Sequence, residues 1–164
     1  MLVGSMGAGK STVGRELAVR LGVPFVDNDE QLRRHTGHTA AEVTTSSGAA
    51  ALHRLEAAAL LEALDEGGDH VVAAAASVVD DGGVRERLAD AGVTVVWLRA
   101  HPATLRRRAL AGAHRPFVHG DPAASTRLDT ARRPHYAEFA AVVVDVDDRA
   151  PGEIVEEIAA ALAH

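Results

Sequence analysis

The segment from Gly4 to Ser11 matches the phosphate-binding pattern G-x-x-x-x-G-K-[ST] at every defined position. A loop that wraps a polyphosphate needs several backbone N–H groups aimed inward, and glycines let the chain curl tightly enough to aim them. A helix directly after the loop adds its positive N-terminal end. Val3 ends a short apolar stretch before the loop, and apolar residues recur at helical spacing over 11–21. The pattern therefore predicts a strand, a nucleotide-binding loop and a helix.

The residue types inside the loop predict individual contacts with ATP and Mg²⁺. We expect Lys10 to reach the β- and γ-phosphates and the Ser11 hydroxyl to bind the metal ion. The nucleotide-binding residues predicted here are Gly7, Ala8, Gly9, Lys10, Ser11 and Thr12.

The composition excludes several classes of protein. The chain has 164 residues, of which 47% are hydrophobic, and we expect it to form one domain. It contains no cysteine, which rules out disulfides and thiolate metal sites. No apolar run approaches the roughly 20 residues that span a bilayer, and the loop begins too early to leave room for a signal peptide. These features predict a cytoplasmic protein without a membrane partner, and a monomer because no exposed apolar seam stands out.

The charge distribution favours a small anionic ligand over a nucleic acid. The net charge of −6 argues against binding to a phosphodiester backbone. Arginines nevertheless cluster between 106 and 133, which suits a small anion. The alternative for several of these arginines is an ordinary solvated helix face.

Strand and helix patterns alternate along the whole chain. Short Val- and Ala-rich runs predict strands at 2–3, 25–27, 71–74, 94–98 and 141–144. Helical patterns cover 11–21, 39–46, 49–65, 84–91, 104–109, 123–139 and 152–163. This alternation predicts an α/β fold with three α/β/α layers around a five-stranded parallel sheet.

Two carboxylates, Asp27 and Asp29, follow the second predicted strand. Open parallel sheets bind ligands beyond the carboxyl ends of their strands, so both side chains are expected beside the phosphate loop. One could position Mg²⁺ and the other could orient an attacking hydroxyl or accept its proton. The alternative is that one of them caps a helix starting at Glu30.

Four segments taken together resemble the shikimate kinase family. They are the phosphate loop, Val26-Asp27-Asn28-Asp29, the stretch over 35–43 that reads HTGHTAAEV, and Arg132-Arg133-Pro134-His135-Tyr136. The resemblance runs over nearly the whole chain and implies a P-loop fold of the nucleoside-monophosphate-kinase type. It also implies transfer of the γ-phosphate of ATP to the 3-hydroxyl of shikimate, a small hydroxy acid.

The resemblance assigns catalytic and acceptor roles to individual residues. Asp29 matches the aspartate that contacts the substrate hydroxyls, and Asp27 matches the one near the magnesium. Arg115 matches an arginine in a lid, here about 110–124, that closes over the phosphates and excludes water. Arg132 matches an arginine that holds the substrate carboxylate. Lys10, Asp29 and Arg115 are thus the expected catalytic residues.

On the nucleotide side, the resemblance places Arg108, Arg149 and Pro151 around the adenine. These positions retain the family pattern, as the phosphate loop does.

Departures from the family pattern fall on the acceptor side. His53 stands where a second carboxylate-binding arginine is expected, and its ordinary pKa near 6.5 would allow a charge beside a carboxylate. Ala75-Ala76-Ser77 replaces a run of three glycines that approaches the substrate, and Thr44 and Leu52 replace two aromatic residues. The acceptor-binding set is therefore expected to include Asp29, His53, Ala75, Ala76 and Arg132. Two alternatives stay open: a kinase for another hydroxylated acceptor, and a nucleotide-binding protein without phosphotransfer.

Overall fold

A parallel five-stranded sheet organises the computed structural model, which describes residues 1–90, 92–111 and 122–163. The strands are β1 (Leu2–Val3), β2 (Phe25–Asp27), β3 (Val71–Ala73), β4 (Val96–Arg99) and β5 (Val142–Asp145). Their spatial order is β2-β3-β1-β4-β5, with Leu2 of the central strand in register with Ala73 and Val96. Because all strands are parallel, their carboxyl ends meet at one edge.

The connections between the strands are helical. The helices are α1 (Lys10–Leu21), α2 (Asn28–Thr36), α3 (Ala40–Ser47), α4 (Ala49–Asp65), α5 (Gly82–Leu88), α6 (Pro102–Ala111), α7 (Pro122–Phe139) and α8 (Pro151–Leu162). A single 3₁₀ turn (Val78–Asp80) follows β3. Within the described ranges, no helix is long and apolar enough to cross a membrane.

Helices cover both faces of the sheet because successive strand residues point to opposite sides. Leu2 packs into the cluster formed with α1, α6 and α8, whereas its neighbour Val3 packs into the cluster formed with α4, α5 and α7. In that second cluster the rings of Trp97 and Tyr136 lie 5.8 Å apart. The predicted three-layer α/β/α architecture with a parallel five-stranded sheet is confirmed.

The boundaries differ from prediction mainly after β2. Helix α2 is absent from the helical patterns identified in the sequence, where only a capped segment from Glu30 was considered. The helix begins at Asn28, and the Asp27 carboxylate caps it by accepting the backbone N–H of Asp29 at 3.0 Å. Polar side chains dominate this helix, and its one apolar residue, Leu32, is fully buried, so no apolar stripe marks it in the sequence.

Candidate active site

The phosphate loop connects β1 to α1 through three glycines with left-handed or otherwise positive φ. Gly4, Gly7 and Gly9 have φ values of 142°, 87° and 92°. A Cβ on Gly4 would lie 2.6 Å from the Leu98 carbonyl oxygen, and one on Gly7 would clash with the Leu105 carbonyl. Glycine is therefore required twice over at these two positions, for backbone conformation and for close packing against β4 and α6.

Lys10 opens helix α1 and folds across the loop. Its ammonium donates to the carbonyl oxygens of Gly4 at 2.6 Å and Ser5 at 3.1 Å. Ser11 lies in the first helical turn and is partly exposed, while Ala8 is buried and Thr12 is exposed. The loop thus presents a positive helix end and an ammonium group at the carboxyl edge of the sheet.

Asp27 and Asp29 lie at the same edge, at the end of β2. The Asp27 side chain is 11% exposed, and its second oxygen is 4.0 Å from the Arg15 guanidinium. Asp29 is exposed at the first turn of α2. Asp27 therefore caps a helix, which was one of the two roles considered for it. The cap uses one carboxylate oxygen of Asp27, and the other oxygen can make a further contact.

A buried carboxyl on α4 lies at the centre of the surrounding charges. Glu56 is 7% exposed and accepts a hydrogen bond from the Ser77 hydroxyl. Burial raises the pKa of Glu56 to about 7, while the Ser77 hydrogen bond acts in the opposite direction. The same carboxyl interacts electrostatically with Asp29, Arg132 and Lys10. The first turns of α1 and α2 and helix α7 therefore direct charged groups toward one region.

Arg132 on α7 lies against an aspartate of its own chain. Its Nε and Nη2 donate to the same Asp80 oxygen at 2.9 and 2.7 Å, and the arginine is only 8% exposed. His53 is half-buried beside this pair, and burial, followed by the positive charge of Arg132, lowers the pKa of His53 below 6.5. This shift disfavours the positive charge expected of His53, whose charge beside an acceptor carboxylate stays a prediction.

Comparison with known proteins matches this site and fold to one family. A family model described as "Shikimate kinase" matches residues 6–163. A shikimate kinase from Symbiobacterium thermophilum is 41% identical over 96% of this chain and 92% of its own length, and one from Mycobacterium avium is 38% identical over 99% and 92%. The chain belongs to the shikimate kinase family.

The solved structures agree with this assignment. A shikimate kinase from Acinetobacter baumannii, solved in complex with shikimate, superposes with a TM-score of 0.88 and 28% identity, covering 99% of this chain and 90% of its own. This shikimate kinase family member and the solved structure therefore share one fold over almost the whole length of this chain.

The residues predicted to surround the adenine lie at the opposite end of the same edge. Arg108 donates to the Val146 carbonyl oxygen at 2.8 Å, and Arg149 pairs with Glu157 at 2.6 Å. Pro151 begins α8. Arg108 and Arg149 thus both make contacts that hold the segment after β5 in place. Arg115 and most of the proposed lid lie outside the described residues.

The residues in place of the family's glycine run directly follow β3 at the carboxyl edge of the sheet. Ala75 and Ala76 are half-buried, and the Ala76 carbonyl oxygen accepts the Tyr136 hydroxyl at 3.0 Å. Burial raises the pKa of Tyr136, which keeps this phenol protonated. Ser77 turns inward to Glu56. The side chains of Ala75 and Ser77 are thus directed into the protein, Ala75 against the core cluster beneath α4 and Ser77 toward Glu56.

A magnesium ion would find oxygen ligands here, but no preformed cage. No cluster of three or more His, Cys, Asp or Glu that could hold a metal occurs within residues 1–90, 92–111 and 122–163. Ser11 lies in the first turn of α1, after the loop that follows β1, and Asp27 ends β2, which β3 separates from β1 in the sheet. Two such oxygen donors fit Mg²⁺, which keeps several waters and takes its remaining ligands from phosphates.

Three residues of this site were assigned no role from the sequence. Glu56 lies on the buried face of α4, four residues from both Leu52 and Leu60. A charged residue in the middle of an apolar helix face was a signal that the sequence contained. Asp80 and Asp129 carried no such signal, because their partners Arg132 and Ser5 are distant along the chain.

Proposed function

We propose that this chain transfers the γ-phosphoryl group of ATP to the 3-hydroxyl of shikimate. Family membership supports the reaction, and one structural observation carries it for this chain. Three neighbouring strands, β2, β3 and β1, end at one edge with an acidic pair, a wall of small residues and a phosphate loop. Open parallel sheets bind ligands beyond such an edge, which supports an acceptor site beside the triphosphate site.

The donor half of the reaction uses the loop and α1. Backbone N–H groups of 7–12 bind the phosphates, and Lys10 shifts its donors from the loop carbonyls to the transferring group. Ser11 and Asp27 would hold Mg²⁺, and the ion would supply positive charge beside the phosphate oxygens. We assign Arg108, Arg149 and Pro151 to the adenine side. Arg115 adds a second positive charge over the phosphates.

The acceptor half uses β2, α4 and α7. Asp29 accepts a hydrogen bond from the acceptor hydroxyl and aims it at the phosphorus atom, which is the main task in a loose transition state. Arg132 binds the acceptor carboxylate, and His53, Ala75 and Ala76 border the same pocket. One domain and a monomeric state suffice for all these roles.

Coupled measurement of ADP release tests this proposal. We expect ADP release in the presence of Mg-ATP to depend on shikimate and to be lost in Asp29→Asn, with ATP binding retained. Binding of ATP without release of ADP for any acceptor would contradict the proposal and favour a non-catalytic nucleotide-binding protein.

A second candidate, a kinase for an uncharged polyol or cyclitol, is favoured by a specific observation. The guanidinium of Arg132 already has a carboxylate partner in Asp80. Turnover with uncharged hydroxylated compounds and none with shikimate would select this second reading.

A further inference from the structure

The Arg132–Asp80 pair is unequal in exposure. The Arg132 side chain is 9% exposed, whereas the Asp80 side chain is 42% exposed. The carboxylate therefore lies on the more open side of the guanidinium, where a ligand from solution would approach. Both hydrogen bonds use the Nε–Nη2 edge, the edge that suits bidentate binding of a carboxylate.

The protein backbone fixes Asp80 in this position. Asp80 ends the 3₁₀ turn, whose residues Val78 and Val79 are each 1% exposed. Its N–H donates to the Ser77 carbonyl oxygen at 2.9 Å, and its own carbonyl accepts from Arg85 at 3.0 Å. Because the backbone is already ordered, holding the pair costs side-chain conformational entropy only.

One further titratable group, His53, interacts electrostatically with both members of this pair. Burial, followed by the positive charge of Arg132, lowers the pKa of His53, which disfavours a compensating positive charge there. A carboxylate ligand at Arg132 would therefore meet the Asp80 charge at close range, and like charges brought together in a partly desolvated site repel strongly.

We propose that Asp80 is a specificity-determining residue whose carboxylate competes with the carboxylate of the acceptor for Arg132. This inference rests on the proposed role of Arg132 in acceptor binding. Asp80 must turn toward solvent before a carboxylate acceptor binds, so it lowers affinity for such acceptors and has little effect on uncharged ones.

Steady-state kinetics on Asp80→Asn tests the competition. The amide keeps a hydrogen-bond acceptor for Arg132 and removes the charge. We expect the KM for shikimate to fall about tenfold or more, with kcat little changed. The KM for shikimate methyl ester, in which the carboxylate is neutral, should change much less.

Asp65→Asn is the matched control. Asp65 also pairs with an arginine, accepting from Arg87 Nε at 3.2 Å, but it ends α4, 12 residues after His53 and toward the other edge of the sheet. It should leave both KM values unchanged. Thermal unfolding of each variant checks that it is folded, and Asp80→Ser offers a second replacement.

Calorimetric titration with shikimate separates failure of this inference from failure of the proposed function. Absence of shikimate turnover in wild type and in Asp80→Asn contradicts the proposed reaction alone. Tighter binding of shikimate to Asp80→Asn than to wild type still supports the competition. Unchanged or weaker binding, or equal KM changes for shikimate and its methyl ester, would overturn the role of Asp80.

Discussion

Ser5 of the phosphate loop donates its hydroxyl hydrogen to the Asp129 carboxylate on α7. Asp129 is 7% exposed, and its other oxygen accepts from Arg133 Nε at 2.8 Å. Arg133 donates in turn to the Ala100 carbonyl oxygen, just after β4, at 2.7 Å. The loop that holds the phosphates is thereby tied to the helix that carries Arg132.

We expect Asp129→Asn to destabilise the protein by about 1–3 kcal/mol, because a hydrogen bond to a charged group is lost and Arg133 keeps only a carbonyl partner. Urea unfolding measures the change. The control Ser5→Ala removes one hydroxyl and should cost about 1 kcal/mol. A variant Asp129→Asn more stable than Ser5→Ala would show that the two contacts do not act as one network.

Gly7 and Gly9 share a similar positive φ but differ in their surroundings. A Cβ on Gly7 meets the Leu105 carbonyl, whereas one on Gly9 meets no atom within 4 Å. We expect Gly7→Ala to cost about 2–6 kcal/mol from strain and overpacking, and Gly9→Ala about 1–3 kcal/mol from strain alone. Denaturation of both variants without nucleotide gives the comparison. Equal losses would mean that packing against Leu105 contributes nothing.

The raised pKa of Glu56 predicts a pH dependence of stability. The folded-state pKa of about 7 lies above the value of 4.5 for an unperturbed group, so the folded state binds the proton more tightly. The contribution of Glu56 is fully present below pH 4.5 and is lost as the pH rises through 7. Relative to wild type, Glu56→Gln should therefore gain stability between pH 5 and 8, by up to about 3 kcal/mol.

Unfolding of wild type and Glu56→Gln at several pH values between 5 and 8 measures the difference in their free energies of unfolding. The titration of other groups contributes equally to both proteins and cancels in this difference. Ser77→Gly is the companion variant. Because the Ser77 hydrogen bond lowers the pKa of Glu56, its loss should move the transition to higher pH. A difference between wild type and Glu56→Gln that does not vary with pH would contradict the raised pKa.

The fold was largely predictable because local patterns and tertiary packing agree. Strand β2 and helix α4 have the boundaries predicted, 25–27 and 49–65, since apolar periodicity and flanking glycine or proline coincide there. Helix α2 was not predicted, because the Asp27 cap and packing against α4 stabilise it and it has no apolar face that a sequence pattern would show.

The site was predictable only where its residues lie close together in the sequence and form a recognisable motif. The phosphate loop is such a case, and its three glycines adopt positive φ values. The pairing of Arg132 with Asp80 joins residues 52 positions apart, and the lowered pKa of His53 depends mainly on its burial. Neither the long-range pairing nor the burial of a single residue can be predicted from the neighbouring residues in the sequence.

Direct detection of phosphorylated shikimate by phosphorus NMR, with Mg-ATP as the donor, tests the central claim most directly. The account predicts a shikimate phosphate signal that grows in step with ADP in wild type, and a rate reduced by roughly 100-fold or more in Lys10→Met, which lacks the ammonium at the transferring group. A wild-type protein that binds Mg-ATP yet forms no such product, or a Lys10→Met variant with undiminished rate, would contradict it.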